Sequence, residues 1–186
     1  SRTGQMQSSN AMTYAERING ELMEGIGVTD TLKQVVISGD GNINGFYDVA
    51  ANMMDDSIQS IQIAPNGVVT EIYPEEGNES GKIDLINDSD RGEISRYARD
   101  NDTVIMQGPL ELKQGGYGIA VRNPVYVEDE NGQKSFWGFT IVILKVPEIF
   151  SDSVEALSNF GYKYCLQKCA SPWMIRMSGF TVQRRS

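Results

Sequence analysis

The sequence predicts an α+β fold in which a long N-terminal helix precedes one five-stranded antiparallel sheet that further helices cover. Three observations support this class. Apolar residues recur every three or four positions from Met12 to Ser38, the dipeptide Asn66-Gly67 separates two alternating segments, and three β-type segments follow residue 103. The 186 residues, 40% of them hydrophobic, are enough for one sizeable core, and no segment approaches the roughly 20 apolar residues of a membrane span.

The first 38 residues contain a tag-like segment and the long helix. The letters SNA before Met12 resemble the remnant of a protease site, so we interpret residues 1–11 as a tag or linker. From Met12 to Ser38 the helix is about 40 Å long at 1.5 Å per residue. Gly25 and Gly27 predict a bend or a break in its middle, because glycine weakens a helix interior.

Part of this helix extends past what a small domain can cover. Its apolar stripe includes Ala15, Ile18 and Leu22, and part of this stripe is expected to pack on another chain. We therefore predict a parallel homodimer through the N-terminal helix.

A polar linker and a second helix, from about Asn44 to Asp55, come next. The linker begins like a calcium loop, with Asp40, Asn42 and Asn44 at alternate positions. At the twelfth position, however, the bidentate Glu that such a site needs is replaced by Ala51. We interpret the linker as a polar loop whose Asn residues cap the helix, and we expect no metal site.

The middle of the chain predicts a hairpin and a third helix. Asn66-Gly67 between alternating segments is a strong signal for a tight hairpin turn. Helical periodicity from about Ser89 to Asn101 predicts a helix with three residues facing inward, namely Ile94, Tyr97 and Ala98.

Three more strands and a final helix complete the predicted order. The segments TVIMQGPLEL, YGIAVRNPVYV and FWGFTIVILKV have the alternation and β-branched content of strands. Pro147 is well placed to begin a helix through about Asn159, which Gly161 would end.

Composition excludes several functions. The net charge of -9 opposes binding to nucleic acid, which depends on clustered Lys and Arg. The chain contains no histidine, so it cannot build a Ser-His-Asp or Cys-His catalytic site, and most zinc sites are excluded as well. Cys165 and Cys169 are interpreted as two small apolar residues. We expect no catalytic residue, no metal and no cofactor.

The stretch GPLELKQGGYGIAVRNPVY resembles a phosphate-binding loop only in part. Gly116 and Gly118 match its first two glycines, but Val121 stands where the third belongs. The residues that follow favour a strand, whereas a dinucleotide site needs a helix there. We interpret the glycines as a turn between two strands.

The segments SIQIAPNGVVTEIYPEEGNE, QGPLELKQGGYGIAVRNPVYV and FWGFTIVIL occur in an order that resembles the CHASE domain, over roughly residues 34–164. The resemblance implies a PAS-like sensor domain at residues 12–164, on the extracytoplasmic side of the cell membrane and between two transmembrane helices of a receptor. It implies a domain that binds a small ligand without being an enzyme, in a parent protein with a histidine kinase or a diguanylate cyclase as output. The alternative is a stand-alone binding or interaction protein with only the PAS-like architecture.

Residues 165–186 follow the segment that resembles the CHASE domain. They predict either a short hairpin with Trp173, Ile175 and Met177 on one face or a tail that leads to a membrane helix.

Two segments are expected to border the ligand pocket of such a domain. One is the turn with Gly115, Gly116 and Gly118, and the other is the loop that starts at Tyr73. The acceptor groups of this loop suit a cationic or hydroxylated ligand better than an anion. The candidate ligand-binding residues are Tyr73, Glu76, Asn78, Gln107, Tyr117, Arg122, Trp137 and Phe139.

Strand alternation adds detail to this set. Trp137 and Phe139 are two positions apart and are expected on one face, as the floor of the pocket. Tyr117 and Arg122 are expected on opposite faces, so the alternative role for Arg122 is a salt bridge to an acidic neighbour.

Overall fold

The computed structural model consists of a sheet with helices on both faces. It describes residues 2–75, 83–146, 173–177 and 180–183, with side chains described for residues 20–75 and 83–146. The helices are α1 (Arg2–Ser38), α2 (Phe46–Met53) and α3 (Gly92–Asn101). The strands are β1 (Ile58–Pro65), β2 (Glu71–Tyr73), β3 (Val104–Glu111), β4 (Tyr117–Glu128), β5 (Lys134–Lys145), β6 (Trp173–Met177) and β7 (Phe180–Gln183).

The first five strands form the predicted antiparallel sheet, in the order β2-β1-β5-β4-β3. Every neighbouring pair among them is antiparallel. This confirms the PAS-like α+β class and the long helix that precedes the sheet. In the C-terminal segment, β6 pairs in parallel with β3, and β7 pairs antiparallel with β6. The described sheet is therefore two strands wider than predicted.

Helix α1 begins at Arg2, earlier than predicted, and continues without a break through Gly25 and Gly27. A Cβ atom on Gly25 would lie 2.9 Å from Cδ1 of Leu144, so the glycine allows α1 to lie close to β5. Burial of one helix face against the sheet outweighs the weak helix propensity of two glycines. The expected break is absent for this reason.

The predicted dimer stripe on α1 is partly used within the domain. Leu22 is only 5% exposed and belongs to the core between α1 and the sheet. The side chains of Ala15 and Ile18 lie outside those that the structure describes. Leu22 is therefore not available to a partner chain, which corrects this part of the prediction.

Helix α2 is shorter than predicted, and no asparagine caps it. Its N-cap is Gly45, with φ 69° and ψ 37°, and no side chain caps its first N–H groups. Glycine adopts this left-handed conformation without a steric cost. The left-handed conformation of Gly45 therefore precedes the first turn of α2 in place of a side-chain cap. The prediction that an asparagine caps this helix was wrong.

The hairpin turn at Asn66-Gly67 is confirmed. Both residues have positive φ, 57° and 84°, as a tight hairpin turn requires. β2 starts only at Glu71, because Val68 and Val69 pair instead with the segment around Asp84.

The core has two parts, one on each side of the sheet, and residues alternate between them along each strand. The α1 face packs against α1 and α2, with buried residues that include Leu32, Phe46, Ile61, Met106, Val121 and Leu144. The α3 face packs against α3, with buried residues that include Ile72, Ile94, Ala98, Ile105, Phe139 and Ile141.

Several predictions concern parts that the structure does not describe. The helix expected from Pro147 to Asn159 and the two cysteines, Cys165 and Cys169, lie outside the described residues. Within the described ranges, no helix is long and apolar enough to cross a membrane. The same ranges contain no group of three or more His, Cys, Asp or Glu side chains arranged for a metal ion.

Candidate functional site

A buried cation, Arg122, lies on the α3 face of β4. Its neighbour Val121 packs on the α1 face, so strand alternation directs Arg122 to the other side. Arg122 is 2% exposed, and its Nη1 donates a hydrogen bond of 2.6 Å to Oε1 of Gln107. No ion pair joins Arg122 to a carboxylate of the described residues. The predicted salt bridge is replaced by a bond to a neutral amide.

Gln107 orients this contact. It lies in β3 and is 8% exposed, and its Nε2 donates to the backbone oxygen of Asp90 at 2.9 Å. Because the amide nitrogen is held by Asp90, the amide oxygen faces Arg122. The loop before α3 is thereby tied to the middle of the sheet.

Two charged side chains, Asp88 and Arg91, influence the pKa of Arg122. The Oδ2 atom of Asp88 accepts hydrogen bonds from the backbone N–H groups of Asp90 and Arg91, and its Oδ1 lies 3.4 Å from Nη1 of Arg91. Burial, followed by the charge of Arg91, lowers the pKa of Arg122 to about 9, while Asp88 acts in the opposite direction. Arg122 therefore carries its charge at neutral pH.

The strand register places further polar groups near Arg122 on the α3 face. Gln62 of β1 pairs with Ile141, and Ile141 pairs with Arg122, so these three form one row across the sheet. With strands about 4.8 Å apart, the backbones at Gln62 and Arg122 are about 10 Å apart. The adjacent row runs from β1 to β3, through Ser60, Ile143, Ala120 and Gln107.

These two rows have an apolar floor and polar ends. The small Ala120 lies between Gln107 and Ile143 in its row, and Ile141 occupies the middle of the other row. Nε2 of Gln62 donates to Oγ of Ser60 at 3.1 Å. A few polar groups around an apolar floor are typical of small-molecule sites.

A cleft of about 160 Å³ opens on this face beside Ser60 and Gln62. Ile72 and Ile143 supply apolar lining, and Arg91 lines it from the loop before α3. The cleft also reaches the β3–β4 turn, where Glu111, Leu112, Lys113 and Gln114 complete its wall.

The glycine-rich turn therefore borders the cleft through the residues that precede its glycines. Gly115 and Gly116 have positive φ, 94° and 75°, and the backbone N–H of Leu112 donates to the oxygen of Gly116 at 3.0 Å. The side chain of Gln59 donates to that of Gln114, which links β1 to the turn. Gly118 continues into β4, as expected for a turn between strands.

The family model of the CHASE domain matches residues 47–164. The chain belongs to the CHASE family. It is therefore an extracytoplasmic sensor domain. No curated protein matches the sequence.

Among solved structures, an extracellular ligand binding receptor from Desulfohalobium retbaense DSM5692 is similar to this CHASE domain. The TM-score is 0.56 and the sequence identity is 11%. The similarity covers 87% of this chain but 27% of that receptor chain. At this identity the comparison supports the fold alone.

The CHASE domain separates the predicted site residues between the two faces. Gln107, Arg122 and Phe139 lie on the α3 face. Tyr73, Tyr117 and Trp137 instead pack against the core of the α1 face.

Tyr73, Tyr117 and Trp137 are partly buried on the α1 face, where they pack against its core. The ring of Tyr73 lies 6.4 Å from that of Tyr47, and Nε1 of Trp137 donates to the backbone oxygen of Gly41 at 2.8 Å. Since α1 and α2 cover this face, these residues do not form the walls of one pocket with Gln107. The prediction of a single site that joins them was wrong.

A β-bulge explains why Trp137 and Phe139 lie on opposite faces. Val125 pairs with Gly138, but Tyr126 pairs with Phe136, so Trp137 is an extra residue without a partner in β4. Gly138 has φ 148°, a conformation that side chains disfavour. The extra residue reverses the alternation that the sequence analysis assumed.

Two further candidates, Glu76 and Asn78, lie outside the described residues. Sequence reasoning missed Ser60, Gln62 and Arg91. A signal for the first two was present, because β1 places both on the face opposite the buried Ile61 and Ile63. Once β1 is known to be flanked by β2 and β5, two polar side chains on its second face indicate a polar site.

A second polar cluster fixes α1 to the same strand that carries Arg122. Asn123, on the α1 face, donates from Nδ2 to Oδ1 of Asp30 at 2.7 Å and to Oγ1 of Thr29 at 3.3 Å. Oγ1 of Thr140 donates to the backbone oxygen of Thr29 at 2.9 Å. Adjacent residues of β4 thus face the polar site on one side and α1 on the other.

Proposed function

We propose that this CHASE domain is the ligand-binding part of a membrane-bound receptor whose output domain is a histidine kinase. A diguanylate cyclase is the alternative output, and a stand-alone binding protein is the alternative to a receptor. The observation that carries the proposal is the family match over residues 47–164. The polar cleft on the α3 face supports it, because a sensor needs a place for its ligand.

The attachment of α1 to the sheet supports a receptor over a stand-alone protein. Asn123 and Thr140 hold α1 at Thr29 and Asp30, directly behind the polar site. From Met12 to Ser38 the helix is about 40 Å long at 1.5 Å per residue, which would carry a movement away from the sheet. A protein that only binds its ligand has no need for this connection.

The full-length protein tests this proposal. We expect hydrophobic spans of about 20 residues on both sides of the domain. In membranes, the protein should transfer phosphate from ATP to one of its own histidines, and ligand should change the rate. Formation of cyclic di-GMP would show a cyclase instead, and a reading frame without spans would rule out a receptor.

We also propose that receptor chains pair through α1 on the N-terminal side of the sheet. Ile18 precedes Leu22 by four positions, so helical spacing places both on one side of α1. Leu22 is held in the core, whereas in the proposed receptor the stripe before it would continue toward the membrane.

Cysteine cross-linking in the full-length receptor tests this pairing. Ile18→Cys should give disulfide-linked dimers on oxidation. Leu22→Cys is the matched control and should stay monomeric, because its side chain is buried within one chain. Monomeric product from both variants would contradict the proposed dimer.

A further inference from the structure

Gln107 is a buried side chain whose amide has two different partners. Its Nε2 donates to the backbone oxygen of Asp90 at 2.9 Å, and its Oε1 accepts from Nη1 of Arg122 at 2.6 Å. One partner needs a donor and the other needs an acceptor, and a primary amide provides both. An ionised carboxylate at this position could hold Arg122, but it could not donate to Asp90. The amide therefore joins the loop before α3 to β4.

The loop at one end of this connection reaches the cleft. Arg91, which directly follows Asp90, lines the cleft on the α3 face. Asp88 fixes the same short segment, because its Oδ2 accepts from the backbone N–H groups of Asp90 and Arg91. A displacement of Arg91 would therefore also displace the backbone oxygen of Asp90.

The strand at the other end of the connection reaches α1. Arg122 is followed in β4 by Asn123, whose Nδ2 donates to Oδ1 of Asp30 at 2.7 Å. Asn123 pairs in register with Thr140, and Oγ1 of Thr140 donates to the backbone oxygen of Thr29 at 2.9 Å. Two neighbouring strands thus hold the same point of α1. A change in the position of β4 at Arg122 would reach α1 at this contact.

The charge of Arg122 makes the connection strong. Its pKa of about 9 keeps the guanidinium group protonated at neutral pH, and a hydrogen bond from a charged donor is stronger than one between neutral groups. Arg122 and Gln107 are both buried, and a hydrogen bond is electrostatically stronger in such surroundings than in water. A buried cation bound to an amide thus links β4 to the loop without a carboxylate.

We propose that Gln107 is the positioning residue that couples the cleft to α1. This inference rests on the proposed ligand-binding function and specifies how binding would reach the signalling helix. Leaving a buried donor or acceptor without its partner is costly, so Gln107 and Arg122 follow Asp90 when a ligand displaces Arg91. The movement then passes through β4 to Asn123. Gln107 acts through its two partners and does not need to touch the ligand.

Nuclear magnetic resonance of the 186-residue chain tests this coupling without a ligand. Arg91→Gln is the input, because it removes the ion pair of 3.4 Å with Asp88 beside the cleft. The readout is the side-chain amide of Asn123, which is bound to α1. Its signals should shift in Arg91→Gln. Lys113→Gln removes the same charge from an exposed position in the cleft lining, and this matched control should leave the signals in place.

Gln107→Glu breaks the connection at one end only. The carboxylate keeps an acceptor for Arg122 but has no donor for Asp90. In this background, Arg91→Gln should no longer shift the signals of Asn123. A role of Gln107 in stability alone would leave that shift unchanged.

Two further variants complete the experiment. Gln133→Glu makes the same chemical change in the exposed β4–β5 turn, and in its background the shift should persist. If Gln107→Glu does not fold, Gln107→Met takes its place, because it keeps the length of the side chain and makes neither hydrogen bond. The same loss of the shift is expected for it.

Three results would overturn the proposal. They are an absent shift of Asn123 in Arg91→Gln, an equal shift in Lys113→Gln, and a shift that persists when Gln107 is replaced. The kinase and membrane tests of the proposed function do not depend on these results.

Discussion

At the residue scale, Asp88 stabilises the turn that leads into α3. Burial, the largest single effect, raises the pKa of its carboxyl, but the N–H groups of Arg91 and Asp90 and the charge of Arg91 together lower the pKa below 3.8. A carboxyl whose pKa is lowered on folding stabilises the folded state above its unfolded pKa. This contribution is lost as the pH falls through the lower, folded value.

Asp88→Ala should therefore reduce the free energy of unfolding at pH 7 by about 1 kcal/mol, because hydrogen bonds to the backbone N–H groups of Asp90 and Arg91 are lost. The difference from the wild type should shrink below pH 3.8. Urea denaturation of both proteins at pH 7 and pH 3 measures it. Asp56→Ala, at an exposed position in another loop, is the control and should show little change at either pH. An equal loss for Asp88→Ala at both pH values would contradict the account.

At the element scale, the glycines of α1 differ in what surrounds them. A Cβ on Gly27 would meet nothing within 4 Å, whereas one on Gly25 would lie against Leu144. Gly27→Ala should stabilise the domain by about 0.5–1 kcal/mol through helix propensity alone. Gly25→Ala should gain less or destabilise it, because Leu144 must move. Thermal denaturation of the two variants measures this, and equal gains would show that α1 does not pack closely on β5.

The second element-scale prediction concerns the contact between β4 and α1. Asn123→Ala removes buried hydrogen bonds to Thr29 and Asp30, at a cost of about 1–3 kcal/mol. Chemical denaturation measures the loss, and Asn131→Ala, at the exposed β4–β5 turn, should be close to neutral.

The same substitution separates binding from signalling. Since Asn123 faces α1 and Arg122 faces the polar site, Asn123→Ala should leave the affinity for ligand nearly unchanged in the full-length receptor. The change in output on ligand addition should become smaller. An unchanged response would show that α1 does not receive its signal at this contact.

Local patterns identified most elements but not the arrangement of the site. Periodicity and turn chemistry act over a few residues, so α1, α3 and the hairpin at Asn66-Gly67 could be predicted. The face on which Trp137 lies depends on one extra residue in β5. The local sequence pattern does not predict this β-bulge. Burial of Arg122 depends on β3, β4 and the loop before α3 meeting at one point.

At the scale of the whole molecule, the proposed function assigns a different task to each face of the sheet. The α1 face holds the long helix through an apolar core and the Asn123 cluster. The α3 face carries the cleft and the unpaired charge of Arg122. A ligand on one side and a signalling helix on the other, joined by β4, is an arrangement suited to a sensor.

The central claim is that ligand binds on the α3 face, and nuclear magnetic resonance tests it most directly. A small molecule that raises the unfolding temperature in a screen of metabolites is titrated into the labelled chain, and side-chain N–H signals are followed. We predict that the amide signals of Gln62 and Gln107 shift with ligand, while the indole N–H of Trp137, bound to Gly41 on the α1 face, stays in place. Shifts at Trp137 with none at the two glutamines would contradict the account.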